Sequence, residues 1–246
     1  MKMIRNSRLA MLAVSVSVSA VMMLGACQPT NDVTEATVKD EAAPVNNVTT
    51  DTSAMDAHVG HDMSGDAMTG MHGEYNDSMT KMHDEMMAGM AYNDPDAAFA
   101  QGMLGHHIGA VDMAEIQLKY GKDAEMRQLA QEIIDAQKAE IEQMQNWLAN
   151  HPDAAEPTSD TEAMQTAYAK GMDTMHSEMM TGIADPNPDM AFARSMLPHH
   201  IGAVDMAKIQ LKYGKNEEMR QLAQQVINAQ QPEIEQMQNW IAKHNS

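Results

Sequence analysis

Cysteine is nearly absent: Cys27 is the only one in 246 residues. No intramolecular disulfide can form, and no thiolate is left over for a type-one copper centre in a mature domain. Aromatics are scarce too, at 4%, so any core must be built from aliphatic residues and methionine. Basic residues are outnumbered, 16 Lys and Arg against 35 Asp and Glu, for a formal charge of -19. Lys2, Arg5 and Arg8 belong to the N-terminal segment, which leaves 13 basic residues for everything after it. Such a surface attracts cations and repels nucleic acid and anionic lipid, which excludes a nucleic-acid function. Catalytic apparatus is missing as well. There is no Gly-rich phosphate loop and no nucleophile elbow, and none of the 11 histidines has a Glu three residues before it, as a di-iron carboxylate bundle would need. The expectation is a protein that is not an enzyme.

What is abundant is methionine, with 28 residues. Its thioether fills cores adaptably and is also a soft ligand for Cu(I) and similar ions. Methionine is placed beside histidine at recurrent positions. Met103-Leu104-Gly105-His106-His107-Ile108-Gly109-Ala110-Val111-Asp112-Met113-Ala114 returns 93 residues later as Met196-Leu197-Pro198-His199-His200-Ile201-Gly202-Ala203-Val204-Asp205-Met206-Ala207. Ile116 to Lys122, Glu125 to Gln131 and Glu140 to Trp147 recur unchanged at the same offset, so the chain holds a duplicated unit.

The N-terminus reads as an export signal. Lys2, Arg5 and Arg8 precede a short apolar run from Leu9 to Leu24, diluted by Ser15, Ser17 and Ser19, and too short and polar for a membrane span. It ends in Leu24-Gly25-Ala26-Cys27, which resembles a bacterial lipobox, implying lipidation at Cys27. Gln28 follows where an Asp would signal retention at the inner membrane, so the resemblance implies an outer-membrane anchor facing the periplasm. The domain plan is 1–27 as lipoprotein-type signal, 28–72 as a flexible tether, 73–151 as helical repeat 1 and 152–246 as helical repeat 2. The end of the tether is rich in Met and His, with Met55, His58, His61, Met63, Met68, Met71 and His72. Gly60, Gly65, Gly70 and Gly73 argue against a stable helix there, and His-rich tracts of this kind point to metal capture.

Each repeat predicts one short and two long helices. In the first, Tyr75, Met79, Met82, His83, Met86 and Met90 share a face at three- and four-residue steps. Asp94-Pro95 starts a second helix, Gly121 ends it, and Asp123 caps a third with the stripe Met126, Ala130, Ile133, Gln137, Ile141, Met144 and Leu148. Nothing reads as a strand. The fold class is all-α, with the antiparallel hairpins of two tandem repeats packed as a pseudo-twofold four-helix bundle and the short Met/His-bearing helices added to it. Pro198 and Pro232 lie inside predicted helices and are expected to kink them, Pro198 with local unwinding at the His pair.

Neighbours on a helix point about 100° apart, so His106 and His107 border the buried stripe separately rather than as one chelate. Met103, His106 and Met113 form a candidate N/S2 set, repeated as Met196, His199 and Met206, with His107 and His200 beside them. Met82-His83 and Met175-His176 are further candidates, as are His58, His61, Met63, Met71 and His72. Imidazole with thioether suits copper, Cu(I) above Cu(II), and Ag(I) also. Gln137 with Glu140, and Gln230 with Glu233, either orient the histidines across each hairpin or lie solvated at the stripe's edge.

The run Met-Leu-Pro-His-His-x-x-Ala-Val-x-Met-Ala with a downstream Gln-x-x-Glu-Ile-x-x-Met-x-x-Trp resembles the bacterial domain-of-unknown-function family numbered 305, twice, over 75–150 and 168–244. Gly105 departs from the family's proline, which Pro198 keeps. The resemblance implies a ferritin-like bundle, and through the CopM-type branch it implies periplasmic copper binding in resistance. It points to Met103, His106, His107 and Met113 and to Met196, His199, His200 and Met206. The functional expectation is an envelope protein that sequesters copper or hands it to an envelope partner, touching the membrane only through its lipid. The alternatives are a structural or adaptor bundle with Met as core filler, and an oxidant sink in which exposed Met cycles through sulfoxide.

Overall fold

The computed structural model describes residues 63–152 and 155–245. Cys27, His58, His61 and the signal and tether around them lie outside the described residues. Every regular element among the described residues is a helix: α1 (Met63–Met90), α2 (Pro95–Tyr120), α3 (Ala124–Asn150), α4 (Thr161–Ile183), α5 (Pro188–Tyr213) and α6 (Glu217–His244). None of them is long and apolar enough to cross a membrane.

The boundaries follow from local chemistry. Asp94 Oδ1 accepts from the amides of Asp96 and Ala97, both at 2.9 Å, and Pro95 opens α2 with its φ already helical. Asp123, Asn187 and Asn216 cap α3, α5 and α6 in the same way. Gly121 and Gly214 end α2 and α5, but for a reason other than a left-handed turn: their φ values are -71° and -70°. A Cβ on either would stand 2.2 Å from the side-chain nitrogen of Gln117 or Gln210, so glycine is needed there for room.

Two expectations are corrected. The first helix is not short. α1 has 28 residues and α4 has 23, comparable with the others. α1 also begins at Met63, ten residues inside the stretch read as tether. Each glycine costs about 1 kcal/mol relative to alanine in a helix, but α1 buries Met71, Tyr75, Met79 and Met82 almost completely. That apolar face outweighs the penalty, while Gly73 is exposed and Gly70 packs under the Tyr120 hydroxyl. Second, Pro198 does not unwind its surroundings. α5 runs unbroken through it, as α6 does through Pro232. The carbonyl that Pro198 cannot bond belongs to Arg194, and α4 closes over that backbone: a Cβ on Gly182 would stand 2.6 Å from the Arg194 carbonyl carbon.

The two repeats meet mainly through α2 and α5, with α1 and α3 flanking α2 and α4 and α6 flanking α5. Thus α1 and α4 are full members of the core rather than additions to a four-helix bundle. The α2–α5 crossing is antiparallel, since Gly102 faces Met206 while His106 faces Gly202. A reciprocal pair of carboxylates locks the repeats together. Asp189, in the first turn of α5, accepts from Gln117 Nε2 at 2.6 Å and from the amides of Lys122 and Asp123. Asp96, in the first turn of α2, does the same for Gln210, Lys215 and Asn216. Each repeat thereby satisfies the orphan backbone groups of the other's α-hairpin turn.

Candidate metal centre

The antiparallel crossing places the two His-His pairs around the pseudo-twofold axis. His106, His107, His199 and His200 are all fully buried. The rings of His106 and His199 meet with centroids 3.6 Å apart and planes tilted by 38°, and His107 and His200 lie outside them at 6.2 and 6.0 Å from their sequence neighbours. Helical phase explains the split. The inner pair points across the crossing and the outer pair back towards its own hairpin.

The outer pair is anchored. His107 Nε2 lies 2.7 Å from Glu140 Oε2, and His200 Nε2 lies 2.8 Å from Glu233 Oε2. Of the two readings of these glutamates, the structure selects the orienting one. A carboxylate that takes one imidazole N–H fixes the tautomer and leaves the other nitrogen with its lone pair. That nitrogen, Nδ1, is buried and unpartnered in both residues. Gln137 and Gln230 are buried in the adjacent turn.

The inner pair is asymmetric. His199 Nε2 donates to the His106 carbonyl at 3.0 Å. His106 has no partner on either nitrogen, although its side chain is wholly buried. Burial, reinforced by the neighbouring imidazoles, pushes both His106 and His199 well below the usual histidine range. Both are neutral, the form in which imidazole binds metal.

Thioethers close in from α1 and α4. The space is made by Gly109 and Gly202, which sit where a side chain would collide with sulfur. Met82 Sδ stands 2.6 Å from the point a Cβ on Gly109 would occupy, and Met175 Sδ stands 2.5 Å from the corresponding point on Gly202. His106 Nε2 is 3.6 Å from that same point on Gly202. A thioether and the unpartnered imidazole, from different repeats, thus share the space over Gly202. Just outside, His83 and His176 bring α1 and α4 together with ring centroids 5.6 Å apart, and the Nδ1 atoms of both are buried without a partner.

The other candidates are distributed differently. Met103, Met113 and Met196 are fully buried core residues on the His-bearing helices, and Met206 turns its methyl onto Gly102. Met113 is seven residues from His106, about 10.5 Å of helical rise. Met71 is buried in α1, and His72 Nε2 reaches the Asp185 carbonyl at 3.4 Å. Met63 begins α1. Two histidines with no predicted role are accounted for by helix ends: His151 and His244 stack on Trp147 and Trp240 and bond those residues' carbonyls.

Sequence reasoning missed Asp96 and Asp189. Their repetition together with Gln117 and Gln210 was the available signal. It also missed the buried hydroxyls of Tyr75 and Tyr168, which have no hydrogen-bond partner. Burial, with Asp189 and Asp96 respectively nearby, raises both phenols well above the usual tyrosine range.

Among the described residues, no three His, Asp, Glu or Cys side chains converge as a metal-holding group. An all-nitrogen-and-oxygen cage for a harder ion is therefore not built here, whereas imidazole nitrogen beside thioether sulfur is. That donor set fits a soft ion such as Cu(I).

Among solved structures the chain is similar to CopM in the Cu(I)-bound form, at 30% identity over 61% of this chain and 98% of that one, with a TM-score of 0.46. It is similar to CopM in the Cu(II)-bound form at 30% identity, 60% and 96% coverage and a TM-score of 0.48. A DUF305 fragment from Deinococcus radiodurans gives 28% identity, 62% and 98% coverage and a TM-score of 0.46. No curated protein matches the chain. The family described as "Domain of unknown function (DUF305)" matches residues 96–241, most of both repeats, and the chain belongs to that family.

Proposed function

We propose that this protein binds copper as Cu(I) in the core of its helical bundle, at a site formed where the repeats cross, and so buffers the ion or passes it on. The observation that carries the reading is His106: wholly buried, without a hydrogen-bond partner on either nitrogen, and with Nε2 and the Met175 sulfur 3.6 and 2.5 Å from the same point over Gly202. A buried polar group left unpaired costs about 1–3 kcal/mol, so a fold that keeps one calls for a ligand. A neutral imidazole and a thioether are matched to Cu(I), and Ag(I) has the same preference; Cu(II) would draw more on the imidazoles of His107 and His200. Met82, His83, His176 and His199 surround the same axis and supply the remaining donors.

The strongly acidic composition concentrates cations around the molecule before any specific contact forms. The proposed setting is the bacterial envelope, with a lipid anchor facing the periplasm and the outer membrane favoured; the signal-like segment and the lipobox-like run ending in Cys27 support it. The Met/His tract that includes His58 and His61 would collect ions there. In this reading the role is binding rather than catalysis, and a transfer partner in the envelope would receive the ion.

The adaptor reading draws on Met126, Met144, Met219 and Met237, which are plain core residues of the outer helices. It gives no reason for the unpartnered imidazoles. Anaerobic titration of Cu(I) in competition with a chromophoric Cu(I) chelator tests the proposal. Tight uptake that falls in His106→Ala and in Met175→Leu supports it; uptake insensitive to both removes it.

A further inference from the structure

The second and third helices of the two repeats are nearly identical in sequence, yet of the depressions beside α2 and α5 only that of repeat 2 is lined by the glycine nearest the buried imidazole. In repeat 2 a groove of about 440 Å³ runs between α4 and α5. Its wall includes Met175 and Gly202; a Cβ on Gly202 would stand 2.5 Å from Met175 Sδ and 3.6 Å from His106 Nε2. Four more methionines line it: Met172 and Met206 from repeat 2, and Met86 and Met90 reaching over from α1. Its ionic groups are Lys170, Glu178, Asp205 and Lys208, of opposite signs, and Lys208 is already engaged by Asp205 at 2.9 Å.

The corresponding surface of repeat 1 is a polar depression that no methionine lines. Ion pairs span it. Glu74 bonds Lys119 and the Tyr120 hydroxyl, and Lys81 lies 3.6 Å from Asp112. Three replacements remove this cover from repeat 2: Ala167 stands for Glu74, Thr174 for Lys81, and Gly171 for Ser78. Asp205 and Lys212 keep the places of Asp112 and Lys119, but their partners from α4 are gone.

Resting on the copper reading above, we propose that the α4–α5 groove is the single route by which a soft monovalent cation reaches and leaves the buried site, with Met86, Met90 and Met172 as thioether steps ahead of Met175. A bare monovalent ion would lose its water on entering an apolar channel. Successive thioethers replace that water with ligands of matching softness. The depression of repeat 1 has no methionine to receive the ion and does not reach Gly109 or Met82, so it offers no second path whether or not its ion pairs are present.

Repeat 1 supplies the design of the test. In Ala167→Glu/Thr174→Lys, the new side chains are placed to pair with Lys212 and Asp205 as their counterparts do in repeat 1. Cu(I) is delivered to the full chain as its bicinchoninate complex, and the rates of uptake and of removal by excess chelator are followed. Both rates are expected to fall several-fold by the same factor, with stoichiometry and affinity unchanged. Met86→Leu/Met90→Leu keeps the opening and removes the rim thioethers, and it too is expected to slow both rates. Opening the other face with Glu74→Ala/Lys81→Thr should leave the rates as they are. Wild-type rates in both repeat-2 variants would overturn the route while leaving the copper site standing. A wild-type chain that takes up no Cu(I) would overturn the site and the route together.

Discussion

The rings of His106 and His199 meet at a tilt of 38° with centroids 3.6 Å apart, and His199 Nε2 donates to the backbone carbonyl of His106. Two residues at the same position of a duplicated sequence thus meet on the pseudo-twofold axis, yet only one of them is left without any partner. Duplication built a symmetric scaffold, and the broken symmetry at its centre frees one imidazole for a ligand.

The depressed basicity of this pair has a consequence for stability. In the unfolded chain both imidazoles titrate near 6.5, and in the folded protein both titrate well below it. Between those values the unfolded state binds more protons. The stabilisation is therefore complete above about pH 6.5 and is lost as pH falls, at up to about 1.4 kcal/mol per pH unit for each imidazole. Urea unfolding of the metal-free protein at pH 7.5 and pH 5.5 should show that loss, and His199→Asn should flatten it. Equal slopes in the two proteins would show that the pair does not carry the effect.

Glu140 and Glu233 hold the outer histidines by one hydrogen bond each. Replacing either with alanine frees the ring and its tautomer. Loss of an orienting carboxylate behind a metal-binding histidine typically costs about 10–100-fold in affinity. Glu140→Ala and Glu233→Ala are each expected to weaken copper binding in that range in a competition titration, with the helical circular dichroism unchanged.

The carboxylates of Asp96 and Asp189 act on the fold and not on the site. Asp189→Ala strands two backbone amides and the Gln117 side chain near the surface of the repeat junction. Unfolding free energy should drop by about 2–4 kcal/mol, and Asp96→Ala should cost about the same because its contacts are the mirror image. Denaturant melts of the two variants check both the size and the equality.

The close glycines separate packing from binding. In Gly202→Ala the new methyl meets Met175 Sδ at 2.5 Å, the middle of a flexible side chain that can swing away. The fold should survive with a loss of roughly 1–3 kcal/mol, while copper binding weakens because Met175 leaves His106. In Gly89→Ala the methyl meets the backbone nitrogen of Gly102, also at 2.5 Å, which cannot yield without parting α1 from α2. That variant should lose stability first. A thermal melt beside a copper titration distinguishes the two patterns.

Much of this was legible in the sequence, and what was not has a physical explanation. The helix ends were readable because Asp94, Asp123, Asn187 and Asn216 act through bonds only two or three residues long. Glu140 and Glu233 could be named as possible partners of the histidines because one hairpin fixes its own register, but periodicity left open whether they reach the rings or lie solvated. The partner of His106 could not be found this way. The α2–α5 register depends on how two repeats cross, and periodicity within one repeat carries no information about it. The N/S2 set was therefore drawn on one helix, with Met103 and Met113, and Met175, a separate candidate, could not be connected with His106 across Gly202. The start of α1 was misplaced for a different reason: glycine propensity is a local quantity, and the face through Met71 and Tyr75 is stabilised by tertiary packing.

The most direct test is an anaerobic Cu(I) titration of the mature protein followed by X-ray absorption at the copper edge, with Met175→Leu alongside. Expected is tight binding with both nitrogen and sulfur in the coordination shell, and a lower sulfur count with weaker binding in Met175→Leu. A shell containing no imidazole nitrogen, or wild-type affinity and an unchanged sulfur count in Met175→Leu, would contradict a copper site at His106.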